Sequence, residues 1–228
     1  MATTVIGAHE TRPARFWAST NGKKIVMAIT GAILFVFVIG HMLGNLQFFE
    51  GPEQMNFYGA ALRRFPEALW TVRAILLVCV ILHIWASVEL AVRKKKARPV
   101  GYAVKENIAS DYASRTMYWS GPIILAFVIY HLLDLTAGTI HRGAFAPGHP
   151  YENLVSGFQV WWVSAWYIFS MILLGFHIRH GAWSMFQSVG INHPRHTPIL
   201  KKAATIAAIL IVAGYMSIPL SIMLGLVD

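Results

Sequence analysis

Long apolar stretches separated by short polar segments dominate the pattern of this chain. Five stretches are long enough to cross roughly 30 Å of hydrocarbon as helices that rise 1.5 Å per residue. They run approximately over residues 24–48, 69–92, 116–139, 158–187 and 202–226. Helices are expected because a lipid-exposed backbone must satisfy its own hydrogen bonds. The pattern therefore predicts an all-α integral membrane protein, a single domain of residues 1–228 with a bundle of five transmembrane helices.

Lysine and arginine are distributed unequally between the two ends of these spans. One side holds Arg12, Arg15, Lys23, Lys24, residues 93–96, Arg98, Lys105, Arg115, Arg195, Lys201 and Lys202, whereas the other holds Arg63, Arg64 and Arg142. The positive-inside rule then places the N-terminal segment, residues 1–23, in the cytoplasm and the C-terminus outside. The basic run 93–98 is interpreted mainly as a topological flank, with binding of acidic lipid headgroups as the alternative.

Composition narrows the function classes. Only 13% of the residues are charged, against about 25% in a typical soluble domain, so much of the surface is expected to face lipid. The formal charge of +9 comes from short clusters beside apolar spans, so we do not expect nucleic acid as a partner. The single cysteine, Cys79, excludes an internal disulfide and a cysteine-ligated iron–sulfur cluster.

The segments between the spans carry some structure of their own. The two outer loops, residues 50–66 and 137–157, mix aromatic residues, glycine and proline with few charges. This composition favours short interfacial helices or lids over simple hairpins. The cytoplasmic connection, residues 97–114, is polar enough to meet water or a partner protein.

Each of the first four predicted spans contains a histidine: His41, His83, His131 and His177. An ionisable residue inside a span is costly and is by default a functional candidate. His41 and His131 lie 17 and 15 residues from the cytoplasmic ends of their spans, so both fall in the outer half. His83 and His177 lie 10 residues from theirs, roughly 15 Å of helix, and fall in the inner half. The depths thus predict two pairs, each drawn from two helices.

Two histidine pairs at two levels are the ligand set that two b-type haems require. The alternative is that the histidines only form hydrogen bonds between helices. A divalent metal site is disfavoured because supporting carboxylates are missing, and Glu89 and Asp134 are interpreted as peripheral residues near span ends. His180 lies three positions after His177 and shares its face, so the spacing leaves either as the ligand in span four.

Further residues could contact the haems. Haem propionates need cationic or hydrogen-bonding partners near the membrane edges, and Arg179 with His180 on the inner side and Arg73 with Arg142 on the outer side are the candidates. Arg73 could instead be a snorkelling arginine. Six glycines on these helices allow close approach of a macrocycle or, alternatively, close helix packing. They are Gly31, Gly40, Gly44, Gly121, Gly175 and Gly181.

Short motifs along nearly the whole chain carry a family resemblance. They are residues 22–24, 27–28 and 30–31; His41 with 44–46; 97–99; 114–117; 120–121; 130–136; and 177–184 continuing to 186–187, Gly190 and 192–194. With these motifs the chain resembles the di-haem cytochrome b membrane-anchor subunit of succinate:quinone oxidoreductase, which comprises succinate dehydrogenase and fumarate reductase. The b558-type bacterial form with a single five-helix anchor is the most similar.

The resemblance implies two haem b groups. In the family, the ligand of the fourth helix precedes a glycine by four residues, and His177 with Gly181 matches that spacing. The family pairing is helix two with helix four and helix one with helix three. That implies an inner haem between His83 and His177 and an outer haem between His41 and His131.

The resemblance also implies partners and a location. A flavoprotein subunit would oxidise succinate, an iron–sulfur subunit would relay electrons, and this chain would anchor both and reduce a membrane quinone, such as menaquinone, without itself being the catalytic subunit. The expected location is the bacterial cytoplasmic membrane, as a multi-pass subunit that contacts lipid and could join a higher oligomer of the complex. Glu50, Glu53 and Glu67 are candidates for outer-side quinol chemistry, although no motif supports them.

Alternatives remain open at the level of the sequence. One is the cytochrome b subunit of a hydrogenase, formate dehydrogenase or nitrate reductase. Another is a haem-free membrane anchor or transporter. Within the succinate family, the residues are compatible with succinate oxidation or fumarate reduction, and with menaquinone or ubiquinone.

Overall fold

The computed structural model describes residues 12–97, 100 and 112–227. Of these residues 84% are helical and none lies in a β-strand. Within the described residues, five helical segments are long and apolar enough to cross a membrane: Thr20–Glu50, Pro66–Lys96, Tyr112–Thr136, Trp161–Ser188 and Thr197–Met223. The prediction of an all-α, multi-pass membrane protein with five spans is confirmed. Most of the predicted polar connection between the second and third spans lies outside the described residues.

Eight α-helices follow one another in the described part of the chain. They are α1 (Arg12–Ala18), α2 (Thr20–Asn45), α3 (Pro52–Arg63), α4 (Pro66–Lys96), α5 (Tyr112–His131), α6 (Pro150–Phe158), α7 (Trp161–Ser188) and α8 (Thr197–Met223). A 3₁₀ segment, Leu46–Glu50, extends α2, and a π-helical turn, Leu132–Thr136, extends α5. The five spans are therefore α2, α4, α5, α7 and α8 with these extensions.

Local chemistry explains where several helices begin and end. The Ser19 side chain caps α2 by accepting a hydrogen bond from the Gly22 backbone amide at 2.8 Å. Proline occupies the first turn of α3, α4, α6 and α8, where its missing N–H costs nothing. Basic residues 93–96 fill the last turn of α4, where they face the negative end of the helix dipole.

Some predicted boundaries differ from the structure. The first and fifth spans begin earlier than predicted, at Thr20 and Thr197, because polar residues there cap or open helices that continue into the apolar stretch. The predicted third span runs to residue 139, but its α-helix ends at His131 and the π-helical turn ends at Thr136. Residue 158, the predicted start of the fourth span, ends the separate helix α6.

Helix α7 lies at the centre of the bundle. It packs against α8, α5 and α2, and α2 packs against α4. In the most apolar stretch of α7, 44% of the residues are buried within the chain, compared with 11% in α2 and in α4. Because α2 and α7 lie between α4 and α5, the four histidine-bearing helices are close enough for side chains to meet across them.

The two ends of the bundle are packed differently. We call the end that carries Lys23, Lys24 and residues 93–96 the lysine-rich side, and the opposite end the far side. Helices α3 and α6 lie on the far side, so each of the two loops for which the sequence favours short helices contains one. Their apolar residues join the largest buried core of the described chain, which comprises Phe48, Met55, Phe127, Tyr151, Leu154, Phe158, Val163, Tyr167, Met171, Ile218 and Ile222.

Candidate functional site

The four intramembrane histidines lie in two pairs. The imidazole centroids of His41 on α2 and His131 on α5 are 5.8 Å apart, with their planes at 78°. The centroids of His83 on α4 and His177 on α7 are 6.3 Å apart, with their planes at 55°. These are the pairs that the depth of each histidine predicts from the sequence.

The pairs lie at two levels of the bundle. His83 contacts Met27 and Thr30 near the start of α2, whereas His41 lies 11 residues beyond Thr30 on the same helix. At 1.5 Å per residue the two levels are roughly 16 Å apart along α2. We call His83 and His177 the lysine-side pair, and His41 and His131 the far-side pair.

The backbone of α2 orients the ring of His83. Its Nδ1 atom lies 3.2 Å from the Met27 carbonyl oxygen and 3.3 Å from the Thr30 hydroxyl. The Thr30 hydroxyl donates its own proton to the Val26 carbonyl at 2.7 Å, and a carbonyl can only accept. Nδ1 of His83 must therefore carry the ring proton, which leaves the Nε2 lone pair available as a metal ligand.

Gly31 makes this close approach to α2 feasible. A Cβ atom added at Gly31 would lie 3.1 Å from Cε1 and 3.5 Å from Nδ1 of His83. A side chain at this position would therefore press against the ring. The absence of a side chain at Gly31 thus leaves room for the histidine ring, as well as for any macrocycle.

His177 has an unusual polar atom. Its Nδ1 is buried, and among the described residues it has no hydrogen-bond partner. A buried polar nitrogen without a partner calls for an explanation such as a ligand or an ordered water. The ring of neighbouring His180 lies 5.8 Å from that of Trp183 in an edge contact. Of the two histidines that spacing leaves open, His177 is the one whose ring pairs with that of His83, with centroids 6.3 Å apart.

The far-side pair is held by aromatic rings and by side-chain hydrogen bonds. The ring of His41 stacks on Phe37, with centroids 5.3 Å apart and planes at 11°, and lies 6.2 Å from the ring of Tyr215. Nδ1 of His131 lies 3.4 Å from the Tyr167 hydroxyl. That hydroxyl donates to Oδ2 of Asp134 at 2.9 Å.

The interpretation of Asp134 as peripheral is wrong. Its side chain is 1% exposed, and Oδ1 lies 2.7 Å from Nδ1 of His141, which is equally buried. Nε2 of His141 lies 3.0 Å from the Ser156 hydroxyl. A sequence signal for Asp134 does exist, because it follows His131 by three positions and so shares its helix face. His141 carries no such signal, since it comes from the loop that follows.

The arginines predicted to contact haem propionates lie beside other protein groups in the structure. Arg179 Nε donates to the Thr205 hydroxyl of α8 at 3.4 Å. Arg73 is exposed, with its guanidinium carbon 4.9 Å from the ring centroid of Trp70, as the snorkelling alternative predicts. Arg142 lies 5.7 Å from the ring of Trp162 in the same way.

The acidic candidates also differ from the buried carboxylate. Glu50, Glu53 and Glu67 are all exposed at the far side. The far-side carboxylate that is enclosed by protein is Asp134. Burial could not be read from the sequence here, because it depends on how the loop after α5 folds back.

The other five predicted glycines divide into two groups. A Cβ at Gly44 would collide with the Tyr58 hydroxyl, and one at Gly175 would lie 2.6 Å from Val212, so these two serve helix packing. At Gly40, Gly121 and Gly181 an added Cβ would meet no atom within 4 Å. These three leave space on histidine-bearing helices, which is compatible with close approach of a flat ligand.

The spacing within each histidine pair is compatible with one metal atom held between two imidazoles. Two metal–nitrogen bonds of about 2 Å, with about 1 Å from each nitrogen to its ring centre, separate two imidazoles on opposite sides of one metal by roughly 6 Å. The separations of both pairs, 5.8 and 6.3 Å, agree with this value. Within the described residues no group of three or more histidine, cysteine, aspartate or glutamate side chains could hold a metal ion. A macrocycle that supplies the other ligands removes that need.

Comparison of the chain with family models, with curated proteins and with solved structures finds no match. The site is therefore defined by its own geometry: two cross-helix histidine pairs in a membrane bundle.

Proposed function

We propose that this chain is a di-haem membrane cytochrome b. The observation that carries the proposal is the pairing of four intramembrane histidines, from four helices, into two couples with ring separations of 5.8 and 6.3 Å. Hydrogen bonds between helices hold His83 and His131, but among the described residues no hydrogen bond joins the two rings of either pair, so this alternative does not explain why the rings lie in couples. Axial ligation of two haems accounts for both couples.

Each residue has a defined part in this proposal. His83 and His177 would hold one haem b, and His41 and His131 the other. A haem iron between two imidazoles supplies a one-electron Fe(III)/Fe(II) couple that needs no open coordination position. The Met27 carbonyl and Thr30 fix the ring orientation of His83, and aromatic packing fixes that of His41. The protein thus provides two rigid redox sites at different depths.

We further propose that the complex is a succinate:quinone oxidoreductase. Support comes from the sequence motifs, above all residues 177–184 with 192–194, that resemble its b558-type membrane anchor. The flavoprotein and iron–sulfur subunits would dock on the lysine-rich side, which the positive-inside rule assigns to the cytoplasm. This chain is then the non-catalytic electron-transfer subunit, and succinate chemistry belongs to a partner.

The location follows from the same assignment. The chain is a multi-pass membrane protein, and the proposed setting is the bacterial cytoplasmic membrane, with the far-side pair toward the outer leaflet. A membrane quinone, either menaquinone or ubiquinone, would be the electron acceptor.

Purification of the intact complex tests both levels of the proposal. A pyridine haemochrome assay should give two protohaems per copy of this chain. Flavin should co-purify, and the complex should reduce a soluble quinone with electrons from succinate. His180→Ala is the matched control for His177→Ala, and its haem content should equal that of the wild type.

The outcomes separate the rival functions. Two haems without flavin or succinate activity would favour the cytochrome b of another respiratory enzyme, such as a hydrogenase, formate dehydrogenase or nitrate reductase. The absence of haem from a purified complex that is otherwise intact would contradict the proposal and favour a haem-free anchor or transporter.

A further inference from the structure

A continuous chain of side chains leads from His131 to the loop after α5. Nδ1 of His131 lies 3.4 Å from the Tyr167 hydroxyl, which donates to Asp134 at 2.9 Å. The second oxygen of Asp134 lies 2.7 Å from Nδ1 of His141. Nε2 of His141 lies 3.0 Å from the Ser156 hydroxyl on α6. Side chains from α5, α6, α7 and the intervening loop therefore converge behind one histidine.

The side chains of this hydrogen-bonded series are buried, which distinguishes them from ordinary surface contacts. Asp134 and the side chain of His141 are each 1% exposed, and Tyr167 is 6% exposed. Taking an ionisable pair out of water carries a large desolvation cost, and well-packed apolar residues are often at least as stabilising. An aspartate and a histidine in this position therefore call for a purpose other than stability.

The hydrogen-bond directions define which ring nitrogen of His131 carries the proton. A phenol has one proton, and Tyr167 donates it to the Asp134 carboxylate. The Tyr167 oxygen can then only accept from Nδ1 of His131. The ring proton of His131 is held on Nδ1 in this way, and Nε2 is left with the lone pair.

The backbone is shaped to bring His141 into place. The π-helical turn Leu132–Thr136 follows His131, and such turns are frequent at functional sites. Gly138 then adopts a positive φ of 70° that other residues rarely adopt. On α6, a Cβ at Gly157 would lie 2.9 Å from Cε1 of His141. The ring is thus packed against a backbone that has no side chain at the contact.

Tyr130 is a second tyrosine close to His131, but its hydroxyl is not part of the hydrogen-bonded series. It precedes His131 directly, and its ring centroid is 6.1 Å from that of Tyr167. Its buried hydroxyl has no hydrogen-bond partner among the described residues. Tyr130 therefore serves as an internal control for the effect of removing a hydroxyl close to the far-side pair.

We propose that Tyr167 is a positioning residue for His131, and that Asp134 and His141 hold and polarise its hydroxyl so that the four side chains set the redox potential of the far-side haem. This inference rests on the proposed function. When a ligating imidazole donates a hydrogen bond from its second ring nitrogen, the basicity of the ligand increases. A more basic ligand and a nearby carboxylate both favour Fe(III). The hydrogen-bonded series is therefore expected to lower the midpoint potential of the far-side haem.

A redox titration of the intact complex, followed by the optical spectrum of the haems, tests the inference. Tyr167→Phe is expected to raise the midpoint potential of one haem and to leave that of the other unchanged. Tyr130→Phe should leave both unchanged. Thr30→Val, which removes a hydroxyl beside Nδ1 of His83, should shift the other haem and so assign the two transitions.

The outcomes distinguish this inference from the proposed function. If the wild-type complex binds no haem, both fail. If it binds two haems and both potentials in Tyr167→Phe equal those of the wild type, the inference is overturned and the di-haem assignment stands. If Tyr167→Phe loses the far-side haem, Asp134→Asn decides. It keeps the tyrosine and is expected to raise the same potential, and an unchanged potential overturns the inference.

Discussion

The two histidine pairs are held by different parts of the protein. In the lysine-side pair, His83 is oriented by a main-chain carbonyl of α2, and Gly31 lets the ring approach that helix. In the far-side pair, His131 is oriented by the side chain of Tyr167, which Asp134 holds in turn. A backbone contact depends on helix packing, whereas a side-chain contact depends on the identity of each residue. Single substitutions should therefore tune the far side more readily than the lysine side.

The surroundings of the pairs differ in the same sense. The far-side pair lies beside the largest buried core of the described chain, to which α3 and α6 contribute. A smaller core of Ile178, Ala208 and Ile211 joins α7 to α8 and packs against α2 through Phe35, Val38, Ile39 and Met42. The far side thus has more surrounding protein from which a network of side chains can be built.

The largest expected effect comes from removing a ligand. His83→Ala or His177→Ala should lose the lysine-side haem, and His41→Ala or His131→Ala the far-side haem, so that each variant retains about half of the haem. The pyridine haemochrome assay measures the loss, and the remaining spectrum should differ between the two groups.

His180→Ala serves as the control for these variants, because its ring lies against Trp183. It should retain both haems. Loss of a haem in His180→Ala together with full retention in His177→Ala would contradict the assignment of the lysine-side pair. Loss of the lysine-side haem is also expected to weaken attachment of the catalytic subunits, which their co-purification measures.

Bulk at Gly31 should act only on the lysine-side pair. A Cβ at this position already lies 3.1 Å from the His83 ring, so the longer side chain of Gly31→Leu would push the ring from α2. We expect reduced occupancy of the lysine-side haem, with the far-side haem retained. Gly40→Ala is the matched control on the same helix, where an added Cβ meets no atom within 4 Å. It should leave the lysine-side haem at wild-type occupancy, and an equal loss in both variants would argue against the proposed contact.

Stability should respond more strongly on the far side. Asp134→Ala leaves the buried ring of His141 and the Tyr167 hydroxyl without their shared acceptor, and breaking a buried pair in this way costs about 3 to 5 kcal/mol. Thr30→Val removes one of two acceptors at His83 and should cost about 1 kcal/mol. Thermal denaturation of the purified complex in detergent compares them.

A double replacement sharpens that comparison. Asp134→Leu combined with His141→Leu removes both members of the pair, and it should recover part of the melting temperature lost in Asp134→Ala. Equal melting temperatures for Asp134→Ala and the wild type would show that the pair does not contribute as described.

The smallest expected effect is spectroscopic. The ring planes of the far-side pair meet at 78° and those of the lysine-side pair at 55°. Nearly perpendicular axial imidazoles leave the iron orbitals of π symmetry closer in energy, which makes the low-spin ferric signal more anisotropic. Electron paramagnetic resonance of the oxidised complex should therefore show a larger maximum g value for the haem that His131→Ala removes. The opposite order would contradict the ring geometry.

Much of this architecture can be predicted from the sequence, because the strongest constraints are linear. Hydrophobic length gives the number of spans, and the distance of each histidine from the end of its span gives its depth. His41 with His131 and His83 with His177 follow from depth alone. The short far-side helices follow from loops rich in aromatic residues, glycine and proline.

What could not be predicted depends on rotation and on chain reversal. The side of α4 that carries Arg73 is set by packing between helices, so its exposure beside Trp70 was not evident. Asp134 was misinterpreted because its burial requires the π-helical turn and the return of His141 against Gly157. No local pattern in the sequence specifies that return.

A high-resolution electron cryomicroscopy map of the intact complex tests the central claim most directly. We predict a flat, iron-centred density between His41 and His131, and a second between His83 and His177. At each level, one nitrogen of each of the two imidazoles should be directed at the metal. A map in which these rings touch only protein side chains, with no macrocycle at either level, would contradict the account.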